Sequence, residues 1–246
     1  MLLDNERLEP LSKDCSVIVS QQHTFNTDTI LLAAFSAPRR GEVCADFGTG
    51  CGTIPLIWCT RSQPKHIYAV EIQPAACNMA NRSVEYNHLE QMIEIINMDM
   101  KDLKKKRLLQ NLDLIACNPP YKAVGAGYVN ADESMRIARH EEQCSLYDIA
   151  VAAAASLKCG GKFCLCQRPE RLCDAMVELR KVGIEPKHLR FVQHTAAKAP
   201  SLFLLEGRRG GKPGLIVSSP LLIKNELGEF SEEMNQIYGA YGEGRT

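Results

Sequence analysis

Asn118-Pro119-Pro120-Tyr121 is the stretch whose residue types could do chemistry. It follows Leu112 to Cys117, a short apolar run that reads as a buried strand. Two prolines cannot continue a central strand, because neither has an N–H for the ladder and each ring fixes φ. Asn118 therefore stands at the carboxyl end of a strand, the edge of an open α/β sheet where ligands bind. An amino group on adenine, or a side-chain amide, is a poor nucleophile because its lone pair is delocalised. Two carbonyl acceptors, the Asn118 side chain and the Pro119 backbone, could take both N–H hydrogens and hold that nitrogen in line with a methyl donor. They would also stabilise the positive charge the nitrogen gains as it attacks. The prolines keep these carbonyls stiff, and Tyr121 offers a face on which a flat group can stack. A plain strand-to-loop turn with a packing tyrosine is the bland alternative, so the elements around the turn must decide.

Those elements alternate between strand and helix. Glu42 to Phe47 reads as a strand, and Gly48-Thr49-Gly50-Cys51-Gly52 then leads into a helix over Thr53–Thr60. Glycines at every second position let the backbone turn tightly and approach a ligand closely. A nicotinamide or flavin site would want G-x-G-x-x-G, and a P-loop would want a Lys-Ser/Thr pair; neither is present. The pattern is Asp46-x-Gly48-x-Gly50-x-Gly52, and a carboxylate there repels phosphate but suits a cationic amino group. S-adenosylmethionine carries an amino-acid moiety and no phosphate. His66 to Glu71 is the second strand, and its terminal acid lies where a ribose-diol binder is expected, with Ile72 beside it in the cofactor-binding set. After a helix over roughly Pro74–Asn87, the third strand, Met92 to Ile96, leads to Asp99. That acid can accept the adenine amino hydrogens of the cofactor, with Met98 or Met100 against the ring.

The flanks carry weaker signals. Ser16 to Val19 reads as a short strand, and a helix starts at Asn26-Thr27-Asp28, where Asn26 or Thr27 can cap and Asp28 suits the helix dipole. The basic run from Lys101 to Arg107 reads as a solvated helix face. Residues 122–143 form a long loop expected to act as a lid, with Arg139 and His140 as candidate phosphate or base contacts. A helix over Leu146–Leu157, a fifth strand over Lys162–Gln167 and a helix over Pro169–Val182 follow. A hairpin near His188–His194 and Ser201–Glu206 comes next, then a last edge strand over Leu215–Ile223. Between Lys187 and Pro213 six cations, Lys187, Arg190, Lys198, Arg208, Arg209 and Lys212, face Glu206 as their only acid. Lys198, Arg208, Arg209 and Lys212 are the expected RNA footprint there. No repeat or low-complexity linker appears. The chain reads as one domain, with a cofactor-covering segment (1–40), a core (41–206) and a basic turn with an edge strand (207–246).

Composition narrows the partners. The 246 residues are 45% hydrophobic and 24% charged, as in an ordinary globular protein, and the formal net charge is zero. A polyanion would have to be met by a local patch rather than a global field. Eleven cysteines lie scattered through apolar runs without Cys-x-x-Cys spacing, which fits buried thiols in a reducing cytoplasm rather than a metal or disulfide framework. No stretch has the length of a membrane span or the character of a signal sequence, so a cytoplasmic protein without membrane, metal or obligate protein partner is expected.

Taken together, the glycine turn, the two acids after the second and third strands and the Asn-Pro-Pro-Tyr turn resemble class I S-adenosylmethionine methyltransferases that modify exocyclic nitrogens. Phe25-Asn26-Thr27-Asp28-Thr29-Ile30-Leu31-Leu32-Ala33, Ala138-Arg139-His140-Glu141, and Glu206-Gly207 with Gly211-Lys212-Pro213-Gly214 look like one bacterial group. Its members methylate N6 of the adenine beside the anticodon, position 37, of a valine tRNA. The resemblance implies a Rossmann-like α/β fold: a seven-stranded, mostly parallel sheet with helices on both faces and an antiparallel C-terminal strand. It implies S-adenosyl-L-methionine as cofactor and tRNA as substrate. Asp46, Gly48, Gly50 and Gly52 would hold the methionine part, Glu71 the ribose and Asp99 the adenine, while Thr27 and Asp28 close over the cofactor. Asn118, Pro119 and Tyr121 would receive a flipped adenine. Two rivals remain. Glutamine N5-methylation of a release factor uses the same turn, although Phe25–Asp28 stands where those enzymes typically carry Arg-Pro-Glu-Thr-Glu. A non-catalytic module binding cofactor and RNA would not need the turn intact.

Overall fold

Parallel strands can be joined only by long crossovers, and the strand–helix alternation from residue 43 onward supplies them. The computed structural model describes residues 2–119 and 144–242. An N-terminal hairpin pairs β1 (Glu6–Ser12) with β2 (Cys15–Ser20). The main sheet contains β3 (Val43–Phe47), β4 (His66–Glu71), β5 (Ile93–Asn97), β6 (Leu112–Cys117), β7 (Leu157–Gln167), β8 (Ile184–Gln193), β9 (Pro200–Arg209) and β10 (Ile216–Leu222). Across the sheet the order is β10-β8-β9-β7-β6-β3-β4-β5, and the neighbours are parallel except where β9 meets β7 and β8.

Helices α1 (Thr27–Ser36), α2 (Thr53–Ser62) and α3 (Pro74–Tyr86) lie with the hairpin on one face. Their core gathers Leu11, Val17, Leu31, Trp58 and Met79, and the Trp58 indole N–H donates to the Ala33 carbonyl at 3.2 Å, locking α1 to α2. The other face holds α4 (Leu103–Lys106), α5 (Leu146–Ser156) and α6 (Leu172–Lys181), with Leu103, Ile149 and Leu179 packed on Phe163 and Phe203. A C-terminal helix α7 (Glu232–Gly242) returns to the first face, where Met234 is fully buried.

Two features differ from the expected layout. The sheet has eight strands, not seven, and its reversed strand is β9, not the last one. After β9 the turn through Gly210–Gly214 sends the chain back across the sheet edge, so β10 enters alongside β8 and runs parallel to it. The Lys187 ammonium fastens that turn by donating to the carbonyls of Lys212 (3.1 Å) and Gly214 (2.6 Å). The second difference is at the termini: β1 and α7 carry too little apolar periodicity to be legible in sequence.

The hairpin is tied down by polar contacts that matter for the site, because the chain passes from β2 directly to the cleft. Ile18 N–H donates to Ser83 Oγ at 2.9 Å, and Asn87, the C-cap of α3, pairs with both backbone groups of Ser16. Arg82 grips the Glu6 carboxylate with two bonds of 2.6 Å, both side chains being largely shielded. That hydrogen-bonded guanidinium holds the Glu6 carboxyl down from an ordinary 4.5 to about 2. Arg82→Met is expected to lose about 1–2 kcal/mol of stability at pH 7. The folded-state value is depressed, so the contribution is complete above roughly pH 4.5 and disappears as pH falls toward 2. Urea unfolding of both proteins at pH 7 and pH 3 checks this: the gap must narrow at the lower pH.

Candidate active site

Strands β3, β4, β6 and β7 all end at one edge of the sheet, and the residues just beyond them surround a single cleft of about 950 Å³. After β3 the chain turns through Gly48 (φ +76°) and Gly50 (φ +57°), conformations that side chains with a Cβ rarely adopt. The amides of Gly48 and Thr49 donate to the Val70 carbonyl at 2.8 and 3.1 Å, which fixes the turn against β4. A Cβ at Gly48 or Gly50 would meet nothing within 4 Å, so the open side of the turn is a space for a ligand. Gly52, also left-handed, starts α2 and packs toward Ala80.

Two acids face this turn. Glu71 is buried, and its carboxylate accepts from Gly50 N–H (3.0 Å) and Gln73 N–H (2.9 Å). It thereby couples the glycine turn to the end of β4, and each oxygen keeps a lone pair for a further donor. Asp46 is 1% exposed, and neither of its oxygens has a hydrogen-bond partner among the described residues. Thr49 lies close enough to favour the ionised carboxylate but completes no well-aligned hydrogen bond with it. Burial pushes the Asp46 carboxyl up to about 7, with the Glu71 charge adding to the rise. A buried, unpaired carboxylate is costly unless a ligand brings it a cation.

Across the cleft stand Asn118 and Pro119, half-buried at the end of β6. The Asn118 amide nitrogen donates to Thr29 Oγ1 at 3.1 Å. Asn26, the N-cap of α1, accepts from both the Thr29 amide and the Thr29 hydroxyl at 3.2 Å. Segment 22–26, running from β2 to α1, forms another wall of the cleft, and Ile72, 46% exposed, presents an apolar face to it together with Met100.

The sequence-derived residues divide clearly by position. Asp46, Gly48, Gly50, Glu71, Ile72, Met100, Asn118 and Pro119 come together around the cleft. Gly52 sits one step behind the turn, and Asp99 caps the short helical turn Met100–Asp102, with its carboxylate on Lys101 N–H (2.9 Å) and the Lys101 ammonium (3.4 Å). Thr27 and Asp28 are not among the lining residues. Helix phase places Asn26 and Thr29 there instead, and the Thr27 hydroxyl accepts from Tyr238 of α7 at 3.1 Å. Pro120, Tyr121, Arg139 and His140 lie outside the described residues.

The four expected RNA cations do not lie together. Lys198 sits between β8 and β9 at the cleft edge of the sheet. Arg208, Arg209 and Lys212 are at the opposite edge, because β9 runs against its neighbours. There Arg208 bonds Glu206 (2.8 Å) and the Gly160 carbonyl (3.2 Å), and Arg209 bonds the Leu157 carbonyl. Lining residues without a role in the sequence reading include Gln167 at the end of β7 and Arg168 and Arg171 just beyond it. Gln167 had a usable signal: it is a polar residue closing the apolar strand Phe163–Cys166, as Glu71 closes β4. The basic run from Lys104 to Arg107 is exposed, as a solvated face should be, and none of the eleven cysteines is in a disulfide.

A largely parallel sheet with one reversed strand, a glycine turn after the first core strand and a buried acid at the end of that strand and of the next define a class I methyltransferase. Solved structures agree on the fold. A predicted O-methyltransferase from Agrobacterium tumefaciens superposes with a TM-score of 0.71 at 17% identity, covering 87% of this chain and 97% of that one. TYW2 from M. jannaschii, solved in complex with AdoMet, gives 0.58 at 16% identity over 85% and 89%. A sequence profile of the methyltransferase small domain matches residues 16–171, and the chain belongs to that family. Its relatives include the tRNA1(Val) (adenine(37)-N6)-methyltransferases of Porphyromonas gingivalis, 28% identical over 74% of this chain and 73% of the relative, and of Tolumonas auensis, 28% identical over 84% of each.

The protein is a methyltransferase and its cofactor is S-adenosyl-L-methionine. The residues present fit that molecule. The orphaned Asp46 carboxylate answers an ammonium group, the glycine turn leaves room for a closely approaching chain, and exposed Ile72 with Met100 offers apolar faces to a flat base.

Proposed function

We propose that this protein methylates the exocyclic N6 of an adenine in tRNA, and that position 37 of a valine tRNA is the target. The observation that carries this reading is the placement of Asn118 and Pro119 in the same cleft as Asp46, Gly48, Gly50 and Glu71. S-adenosyl-L-methionine, when bound, supplies an electrophilic sulfonium methyl group. Asp46 and the glycine turn hold the amino-acid end, Glu71 the ribose, and Ile72 and Met100 flank the adenine, with Asp99 beside them. Segment 22–26 and Thr29 in the first turn of α1 cover the cofactor from the N-terminal side, in place of Thr27 and Asp28, which do not line the cleft. Asn118 and the Pro119 carbonyl accept the two hydrogens of the target amine, and Pro120 and Tyr121 stiffen the turn and stack on the base. The names of the relatives support tRNA as the substrate, and the neutral net charge means the contacts with it are local.

The test is transfer of labelled methyl groups to tRNA from cells lacking the protein, followed by mass spectrometry of the nucleosides. N6-methyladenosine appearing at one position supports the reading. Label on a protein glutamine would instead assign the release-factor chemistry, and bound cofactor without any transfer would leave a binding module.

Among the basic residues, Lys198 at the cleft edge is a proposed RNA contact, and Arg139 and His140 are proposed as contacts from their residue types alone, whereas Arg208, Arg209 and Lys212 occupy the far edge. Lys198→Ala is expected to weaken RNA binding and to lower the slope of log K against log salt by just under one, about the value of a single phosphate contact. Arg208→Ala should leave that slope unchanged. Filter binding at four or five salt concentrations distinguishes the two variants, and equal slopes for native protein and Lys198→Ala would place the RNA elsewhere.

A further inference from the structure

We propose that Thr29 is a positioning residue that sets which way the Asn118 amide faces, so that its oxygen rather than its nitrogen is presented to the acceptor amine. The inference rests on the methyl-transfer reading above and deepens it. It follows from counting protons along three hydrogen bonds. The Thr29 backbone amide can only donate, so the Asn26 atom 3.2 Å from it is the side-chain oxygen. The Thr29 hydroxyl lies 3.2 Å from that same oxygen, which cannot donate, so the hydroxyl gives it its single proton. Thr29 Oγ1 then has only lone pairs left for its neighbour 3.1 Å away on Asn118, which must be the donating nitrogen. The helix cap at the start of α1 thus dictates the amide orientation at the end of β6, 89 residues later in the chain.

The consequence is specific to the chemistry. An asparagine turned the other way would offer an N–H to an amine that itself needs to donate, and the pair would repel. Either orientation fills the same volume, so packing alone cannot choose between them. A hydroxyl whose proton is already committed can choose, and it does so before substrate arrives. Thr29 touches neither the reacting nitrogen nor the methyl group in this account; it acts through Asn118.

The experiment uses the full chain with cofactor bound. In protein labelled with ¹⁵N-asparagine, the Asn118 side-chain amide pair is identified by its absence in Asn118→Asp. It should shift in Thr29→Val, which keeps the shape but loses the hydroxyl, and stay in place in Thr29→Ser. In methyl transfer to tRNA, Thr29→Val should lower kcat about tenfold while the KM for cofactor stays within twofold, and Thr29→Ser should keep kcat within threefold. In the Asn118→Asp background, where either side-chain atom is an accepting oxygen, adding Thr29→Val should change kcat less than twofold. An unmoved amide pair, a serine variant as impaired as the valine one, or an equal loss in the Asn118→Asp background would each overturn the proposal. The spectrum needs no substrate. If tRNA accepted no methyl group while the amide moved as stated, the hydrogen-bond assignment would stand and the substrate reading would fall.

Discussion

Replacing Asn118 by alanine is expected to lower kcat for methyl transfer by about 10²–10³-fold while leaving the cofactor Kd within threefold, because the side chain serves the acceptor and not the donor. The cleft has two separable halves. The glycine turn, Asp46 and Glu71 hang from β3 and β4, and Asn118 hangs from β6 with its amide nitrogen tied to α1. In the proposed mechanism, removing the Asn118 carboxamide takes away one of the two oxygens that would hold the target amine and stabilise its developing charge. It leaves the Gly50–Glu71 contact untouched. The loss also removes the donor to Thr29 Oγ1, a part-buried bond at the cleft rim and not in the core, so the melting temperature should move little. Isothermal titration with cofactor and single-turnover methyl transfer, measured on the same preparation, give the two numbers. A parallel loss of cofactor affinity would mean that Asn118 belongs to the donor half, and the assignment of roles would have to be exchanged.

The gathering of these residues around one cleft is legible in the sequence because it depends on strand ends. Asp46 and Glu71 stand in the last two positions of their strands and Asn118 just past its own, and parallel strands deliver their carboxyl ends to one edge. What the sequence could not reveal was orientation that depends on tertiary partners. The cations Arg208, Arg209 and Lys212 are close in sequence to Lys198, and a linear reading joins them into one patch. The ten residues of β9 carry the chain to the other edge of the sheet before Arg209, on the order of 30 Å away at strand rise. Helix phase separated Thr27 and Asp28 from the cleft in the same way: each residue rotates by roughly 100°, so a lining pair spaced three apart is Asn26 and Thr29. The polar pattern of Glu6–Ser12 gave no hint of a strand, because a two-stranded hairpin docked on α3 needs only Leu8 and Leu11 turned inward. Helix α7 is anchored through Met234, the Arg190–Glu233 pair at 2.5 and 2.7 Å, and Tyr238, contacts with no local signature.

Asp46→Asn is expected to raise the cofactor Kd on the order of 10²-fold at pH 8, and in the absence of cofactor to make the protein more stable. Both effects come from one carboxylate that folding strips of water without giving it a described partner. Burial lifts its proton affinity to about 7, above the 3.8 of an ordinary aspartate. A folded-state value raised above the unfolded one means that stability is greatest below about pH 4, declines as pH rises toward 7, and levels off beyond it. At pH 8 the asparagine variant should gain on the order of 2 kcal/mol. That is less than the roughly 4 kcal/mol corresponding to the move from 3.8 to about 7, because an amide in the same place has polar atoms of its own to satisfy. Near pH 4 the gain should vanish. Cofactor binding runs the opposite way, since an ammonium group needs the ionised acid: below pH 7 the native Kd should rise about tenfold for each pH unit, while that of the variant stays flat. Thermal unfolding without cofactor and cofactor titration between pH 5.5 and 8 measure the two arms on one pair of proteins. A native Kd that does not change with pH, or an asparagine variant that binds as tightly as the native protein, would remove Asp46 from the cofactor's ammonium group and leave its burial without a functional cause.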